Sequence, residues 1–95
     1  MNNTILSGEL GQNPTIKDAG SSQVANSFLI FTNFKGQPER MKIAAWGNQA
    51  TELQKYQQGA MLILEGRYKV IEQQKEGYKE QALELNVSKI HGVNV

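Results

Sequence analysis

The sequence predicts an all-β domain, a small five-stranded barrel with one short helix between the third and fourth strands. Three observations predict it. Segments rich in β-branched and aromatic residues recur between clusters of Gly, Pro, Asn and Asp, which is how short strands and their turns are punctuated. A single stretch, between Trp46-Gly47 and Gly59, has helical spacing instead. One helix among many strands suits a barrel that closes on itself better than a sheet built of βαβ units.

The elements follow in order. Asn3 to Leu10 reads as a strand with Ile5, Leu6 and Leu10 as its apolar content, and Gly11-Gln12-Asn13-Pro14 stops it. Thr15 to Ser22 contains Asp18-Ala19-Gly20-Ser21-Ser22, a loop or hairpin signal. Gln23 to Asn33 is the second strand, and Phe34-Lys35-Gly36-Gln37-Pro38 is a tight connection to the third, Glu39 to Trp46. From Asn48 to Gln58, Ala50, Leu53 and Tyr56 or Gln57 recur at spacings of three and four, which predicts the helix. Ala60 to Glu72 is the fourth strand, Gln73 to Gly77 turns it, and Tyr78 to Ile90 is the fifth. No repeat or linker divides the 95 residues, so residues 1–95 read as one domain. Strand, helix and strand in this order describe a Greek-key barrel of the OB type.

Successive side chains of a strand point to opposite faces. In the third strand Met41, Ile43 and Ala45 read as core, which leaves Arg40, Lys42, Ala44 and Trp46 outside. In the fourth, Leu62, Leu64, Gly66, Tyr68 and Val70 read as core, which leaves Ile63, Glu65, Arg67, Lys69 and Ile71 outside. If the two strands share a barrel, their outer faces form a basic patch around a tryptophan. The second strand is apolar on both faces, with Phe28 and Ile30 opposite Leu29 and Phe31. Only one face of so small a barrel is core, so Phe28 and Ile30, together with Ile63, are candidate oligomer-interface positions.

Composition narrows the function classes. The absence of cysteine removes disulfide scaffolds, thiol catalysis and thiolate metal sites. The carboxylates are scattered, and His91, the one histidine, stands near the C-terminus; no catalytic set, metal site or cofactor is expected. No Gly-Lys-Ser/Thr marks a phosphate loop. The polar start Met1-Asn2-Asn3-Thr4 reads as no secretory signal, and the apolar runs are too short for a membrane span, so a soluble protein is expected. With ten Lys/Arg against nine Asp/Glu the net charge is only +1, and any hold on a polyanion must come from local charge.

The residues resemble the bacterial single-stranded DNA-binding protein family. The match begins at Asn2 and runs through Ile5-Leu6, Gly8, Leu10-Gly11-Gln12-Asn13-Pro14, Val24-Ala25-Asn26, Trp46-Gly47, Ala50, Tyr56, Leu64-Glu65-Gly66-Arg67 and Glu84. It covers most of the chain and is most similar to the short cyanobacterial and plastid members. The resemblance implies an OB fold and non-specific binding of single-stranded DNA in replication, repair, recombination or strand protection. It implies a homotetramer or homodimer, no catalysis, and a cytoplasmic, nucleoid-associated location, or the plastid stroma if the protein is plastid-encoded. Trp46 matches a base-stacking position, and Lys42, Lys69 and Lys35 lie where the family places phosphate contacts.

Departures from the pattern point to a specialised, weaker binder. Arg40 and Gln73 stand at or near positions where many members carry stacking tryptophans, and the Phe34 to Pro38 connection is short. Ile90-His91-Gly92-Val93-Asn94-Val95 carries no acidic tip, so tail-mediated recruitment of repair enzymes is not expected.

The bland alternatives stay open at this stage. Trp46 either stacks on bases or fills the barrel rim. Arg40, Lys42, Arg67 and Lys69 either contact nucleic acid or form a solvated face paired with Glu39 and Glu65. Phe34 and Tyr78 either stack or close the barrel. The rival functions are a protein-interaction OB module with little nucleic-acid affinity, and single-stranded RNA binding, since stacking hardly distinguishes the two sugars.

Overall fold

The computed structural model describes residues 3–93. Asn2, where the resemblance begins, and Asn94-Val95 of the C-terminal run lie outside the described residues. Six strands and one helix follow in order: β1 (Thr4–Leu10), β2 (Thr15–Ala19), β3 (Ser22–Thr32), β4 (Pro38–Trp46), α1 (Asn48–Leu53), β5 (Met61–Lys75) and β6 (Tyr78–Gly92). The strands pair in the order β1-β5-β6-β4-β3-β2, and β1 pairs with β3 as well. Hydrogen bonding therefore runs in a ring from β1 through β5, β6, β4 and β3 back to β1. Only the β4–β6 pairing is parallel. This is the OB-type barrel that the sequence predicts, with its helix between the two expected strands.

The strand count differs from the expectation. Thr15 to Ala19 is a strand, hung on the outside of β3 from Thr15↔Asn26 to Ala19↔Ser22. Gly20-Ser21 joins the two, and Gly20 takes the positive φ of 67° that a two-residue hairpin loop demands. Every residue of β2 is exposed, so no hydrophobic alternation marked it.

The expected core faces hold. Leu10, Ala25, Leu29, Ile43, Ala45, Leu62, Leu64 and Leu85 fill the ring, and Ala50 and Leu53 of α1 join them. Met41 and Tyr68 pack against this cluster half-buried. Ser27 is buried among apolar groups, and its hydroxyl donates to the Gln12 carbonyl at 2.8 Å. Ala44 has outward parity yet is buried, because its small side chain lies in register between the longer Asn26 and Asn86.

Two boundaries move. The helix ends at Leu53 rather than Gln58. There the Asn13 side chain accepts the Gln58 N–H at 2.8 Å and the Tyr56 ring lies against Gly92, which draws the chain off the helical path. The fourth predicted strand continues through the polar run to Lys75, and only Glu76-Gly77 turns. β1 and β4 pair no further along these strands than Gly66 and Glu84, so β5 and β6 run on together as a hairpin arm. Val70, read as core, is 59 % exposed because it lies on that arm.

Gly66 sets the phase of β6. Glu65 pairs with Lys89 but Gly66 with Val87, so Ser88 is the extra residue of a bulge. Its hydroxyl donates to the Glu65 carbonyl at 3.1 Å. A side chain at Gly66 would overlap the Asn86 carbonyl. The bulge lets Leu85, Val87 and Ile90 all reach the core, which strict alternation forbids.

Candidate nucleic-acid interface

The outward face of β3, β4, β6 and β5 is laid out in cross-strand rows. Phe28, Lys42, Glu84 and Lys69 form one row. Thr15, Asn26, Ala44, Asn86 and Arg67 form the next. Lys17, Val24 and Trp46 form a third, and Ile30 stands in register with Arg40 on the far side of the Phe28 row. The five residues read from parity as a basic patch with a tryptophan do share one face.

Strand order adds a carboxylate to that patch. The two strands that carry the cations are not neighbours, because β6 runs between them. It inserts Glu84 between Lys42 and Lys69, and Asn86 in the Arg67 row. A carboxylate inside the patch repels phosphate. A Glu84→Gln variant is expected to bind single strands roughly two- to fivefold more tightly at low salt. A fluorescence titration with oligo-dT checks this.

No carboxylate neutralises the cations of this face among the described residues. Among the described residues the one Lys or Arg paired with a carboxylate is Lys55, 2.8 Å from Glu52 at the end of α1, and the His91 ring lies 3.7 Å from a Glu65 carboxylate oxygen. The Glu52 carboxylate accepts a hydrogen bond from Lys55 and raises its pKa. Arg40, Lys42, Arg67 and Lys69 have no carboxylate partner there, so the alternative of a face paired with Glu39 and Glu65 is not what the structure shows. Glu39 instead accepts from the Asn33 side-chain amide at 2.9 Å.

The aromatic candidates stand outside the core. Trp46 is 48 % exposed at the end of β4, just before the Gly47 turn into α1. Phe34 is 95 % exposed at the tip of the β3–β4 loop, so it does not close the barrel. Asn33 shapes that loop: its carbonyl oxygen Oδ1 accepts the N–H groups of Lys35 and Gln37 at 2.9 and 3.0 Å. The Lys35 ammonium lies 5.9 Å from the Phe34 ring centroid, so cation and ring are presented together. Tyr78 is 59 % exposed at the end of the hairpin arm and does not close the barrel either. It shares the outward parity of Glu84, about 20 Å along the strand.

Sequence reasoning missed Lys17, Asn26, Asn86 and the place of Phe28. An open groove of about 470 Å³ lies on this face, lined in part by Lys17, Asn26, Phe28, Lys42 and Glu84. The hairpin signal at Asp18 to Ser22 held the clue to Lys17, since a hairpin there puts Lys17 beside Val24. No group of three His, Cys, Asp or Glu among the described residues could hold a metal ion. No helix among them is long and apolar enough to cross a membrane.

Of the three interface candidates, Ile63 and Ile30 both lie beside β1 and Phe28 lies on the cationic face. Ile63 is 36 % exposed on β5 beside Met61, with Ile5 and Ser7 on the adjoining β1. Ile30 is half-buried and in register with Glu9 of β1. Phe28 is also half-buried, but on the cationic face.

Comparison with known proteins agrees with this architecture. The thylakoid-associated single-stranded DNA-binding protein of Synechocystis sp. is 32 % identical over 97 aligned positions, which cover 95 % of this chain and 74 % of that protein. The crystal structure of the SSB domain of a Synechococcus sp. protein superposes with a TM-score of 0.78 at 30 % identity, over 96 % of this chain and 94 % of that one. The model of the single-strand binding protein family matches residues 1–93, and the chain belongs to that family.

Proposed function

We propose that this protein binds single-stranded DNA without sequence preference, through the outward face of β3, β4, β6 and β5. The observation that carries the reading is Trp46. It is a half-exposed ring at a strand end, on the same face as four cations that have no carboxylate partner among the described residues. Such a face stacks bases on the ring and tracks phosphates with Lys42, Lys69, Arg67 and Lys17. Phe34 with Lys35 on the β3–β4 loop, and Tyr78 on the arm, both extend it beyond the end of the face away from Trp46. Family membership and the single-stranded DNA-binding relative support the same reading. Holding strands unpaired in this way serves replication, repair or recombination and needs no catalytic group.

The test is a titration with oligo-dT at several salt concentrations, following Trp46 emission. Binding is expected to quench the tryptophan and to weaken with salt by about 0.7 log units per log salt for each phosphate neutralised. Absence of binding at low salt would make the protein-interaction module the better reading. Competition by oligo-U distinguishes DNA from RNA as the preferred strand.

We further infer a homo-oligomer, as the size of the domain favours. Ile5, Met61 and Ile63 stand out from β1 and the first residues of β5, an apolar surface suited to a second copy. An Ile63→Glu variant is expected to lower the solution mass by light scattering while keeping its melting transition. An unchanged mass would remove Ile63 from the interface.

A further inference from the structure

We propose that the side chains of Asn26 and Asn86 hydrogen-bond the edges of bases, so that this surface grips the polar rim of a base as well as its flat face. The inference rests on the single-strand reading above and adds a contact of different chemistry to it. The two asparagines stand in register on either side of Ala44, Asn26 on β3 and Asn86 on β6. Neighbouring strands lie about 5 Å apart, so the two backbones are about 10 Å apart across Ala44. Ala44 is only 2 % exposed, because the longer side chains flank it. The two carboxamides therefore make a polar floor, with Thr15 at one end of the row and Arg67 at the other. Along β4, Trp46 lies two residues to one side of Ala44 and Lys42 two residues to the other, each about 7 Å away. A strand with a base on Trp46 and a phosphate at Lys42 has to cross this floor.

Both asparagines are half-buried. Neither carboxamide has a hydrogen-bond partner within the protein among the described residues. No buried side-chain nitrogen or oxygen among them lacks a partner, so the amide atoms of Asn26 and Asn86 reach solvent and are open to a ligand. Other asparagines of the chain are used internally: Asn33 shapes the β3–β4 loop and Asn13 accepts the Gln58 N–H. A carboxamide carries an acceptor and two donors, and turning it over exchanges their places. The edges of unpaired bases are open to such groups. A lysine or arginine can only donate, whereas an amide that turns over meets the edge of any base. The floor then adds hydrogen bonds without imposing a sequence, in keeping with binding that has no sequence preference.

Stacking and edge contact are separable with an apolar base. Difluorotoluene keeps the size and flat ring of thymine and lacks its strong hydrogen-bonding groups. The wild type is titrated with labelled oligo-dT and with an oligonucleotide of the same length carrying this ring at every position, over a range of salt. The apolar ring leaves water at least as readily, so stacking and phosphate contacts alone give equal or tighter binding of the isostere. The expected result is a preference for oligo-dT of about two- to tenfold. A double variant, Asn26→Leu with Asn86→Leu, keeps side-chain volume over Ala44 and removes both amides. It is expected to lose the preference by weakening oligo-dT binding, with the salt dependence unchanged. Where the double variant folds poorly, Asn26→Ala and Asn86→Ala are made singly, and each is expected to lower the preference. Equal wild-type binding of the two oligonucleotides overturns the proposal. So does a preference that survives the substitutions, and so do equal losses on both ligands, which would make the asparagines contacts to the sugar–phosphate chain. A wild type that binds neither oligonucleotide removes the single-strand reading itself. That outcome is distinct from one in which the wild type binds both alike.

Discussion

Trp46→Ala is expected to weaken oligo-dT binding by about 1–3 kcal/mol, roughly 5- to 150-fold, and to leave the melting transition nearly unchanged. Both halves follow from the ring's position. It is 48 % exposed at the end of β4 and is not part of the buried core cluster, so its removal opens no large cavity. The same exposure puts an aromatic face in the row of Val24 and Lys17, next to the row of Asn26, Asn86 and Arg67. Trp46 is the only tryptophan, so the Ala variant carries no intrinsic tryptophan signal, and binding is followed on a labelled oligonucleotide. Wild-type affinity in the variant would move the stacking site to Phe34 or Tyr78. A large loss of stability would make Trp46 a rim residue first and a ligand contact second.

Gly66→Ala is expected to be the opposite kind of variant, costly to the fold before it touches the site. The added methyl would overlap a backbone carbonyl of the partner strand, at Asn86, which no rotamer change can relieve. Overpacking of this kind costs about 1–3 kcal/mol. A domain of this size has roughly 5–15 kcal/mol in total. The melting midpoint should fall by about 5–20 °C. Part of the damage reaches the surface, because Gly66 and the Ser88 bulge set which β6 residues face out. If Gly66→Ala melts like the wild type, β5 and β6 do not approach as closely as this register requires.

The faces of the barrel were legible because strand alternation is a local rule. Ile43 and Ala45 on one strand and Leu62 and Leu64 on another needed only parity to be placed inside. The same parity put Trp46, Arg40, Lys42, Arg67 and Lys69 outside. Less local features were hidden. β2 carries no apolar alternation because all its residues are exposed, so its strand character comes only from the ladder to β3. The polar Gln73-Gln74-Lys75 run resembles a turn by composition, yet it pairs with Tyr78, Lys79 and Glu80 because the hairpin supplies its hydrogen bonds. Val70 and Leu83 have core parity but lie past the last pairing with β1 and β4, where there is no core to enter.

The sequence by itself determined the fold class, the single helix, the core-facing residues and the outward set of Trp46 with four cations. Each of these depends on residue type and a spacing of two to four positions along one chain segment. Only the tertiary structure decided which outward residues are neighbours. Strand order placed β6 between β4 and β5, and with it Glu84 between two lysines. The β2–β3 ladder brought Lys17 to the face, and the close passage of Gly11 beside Phe28 holds that ring on the cationic side. Strand order and close backbone approach are relations between segments far apart in the chain, and no local pattern encodes them.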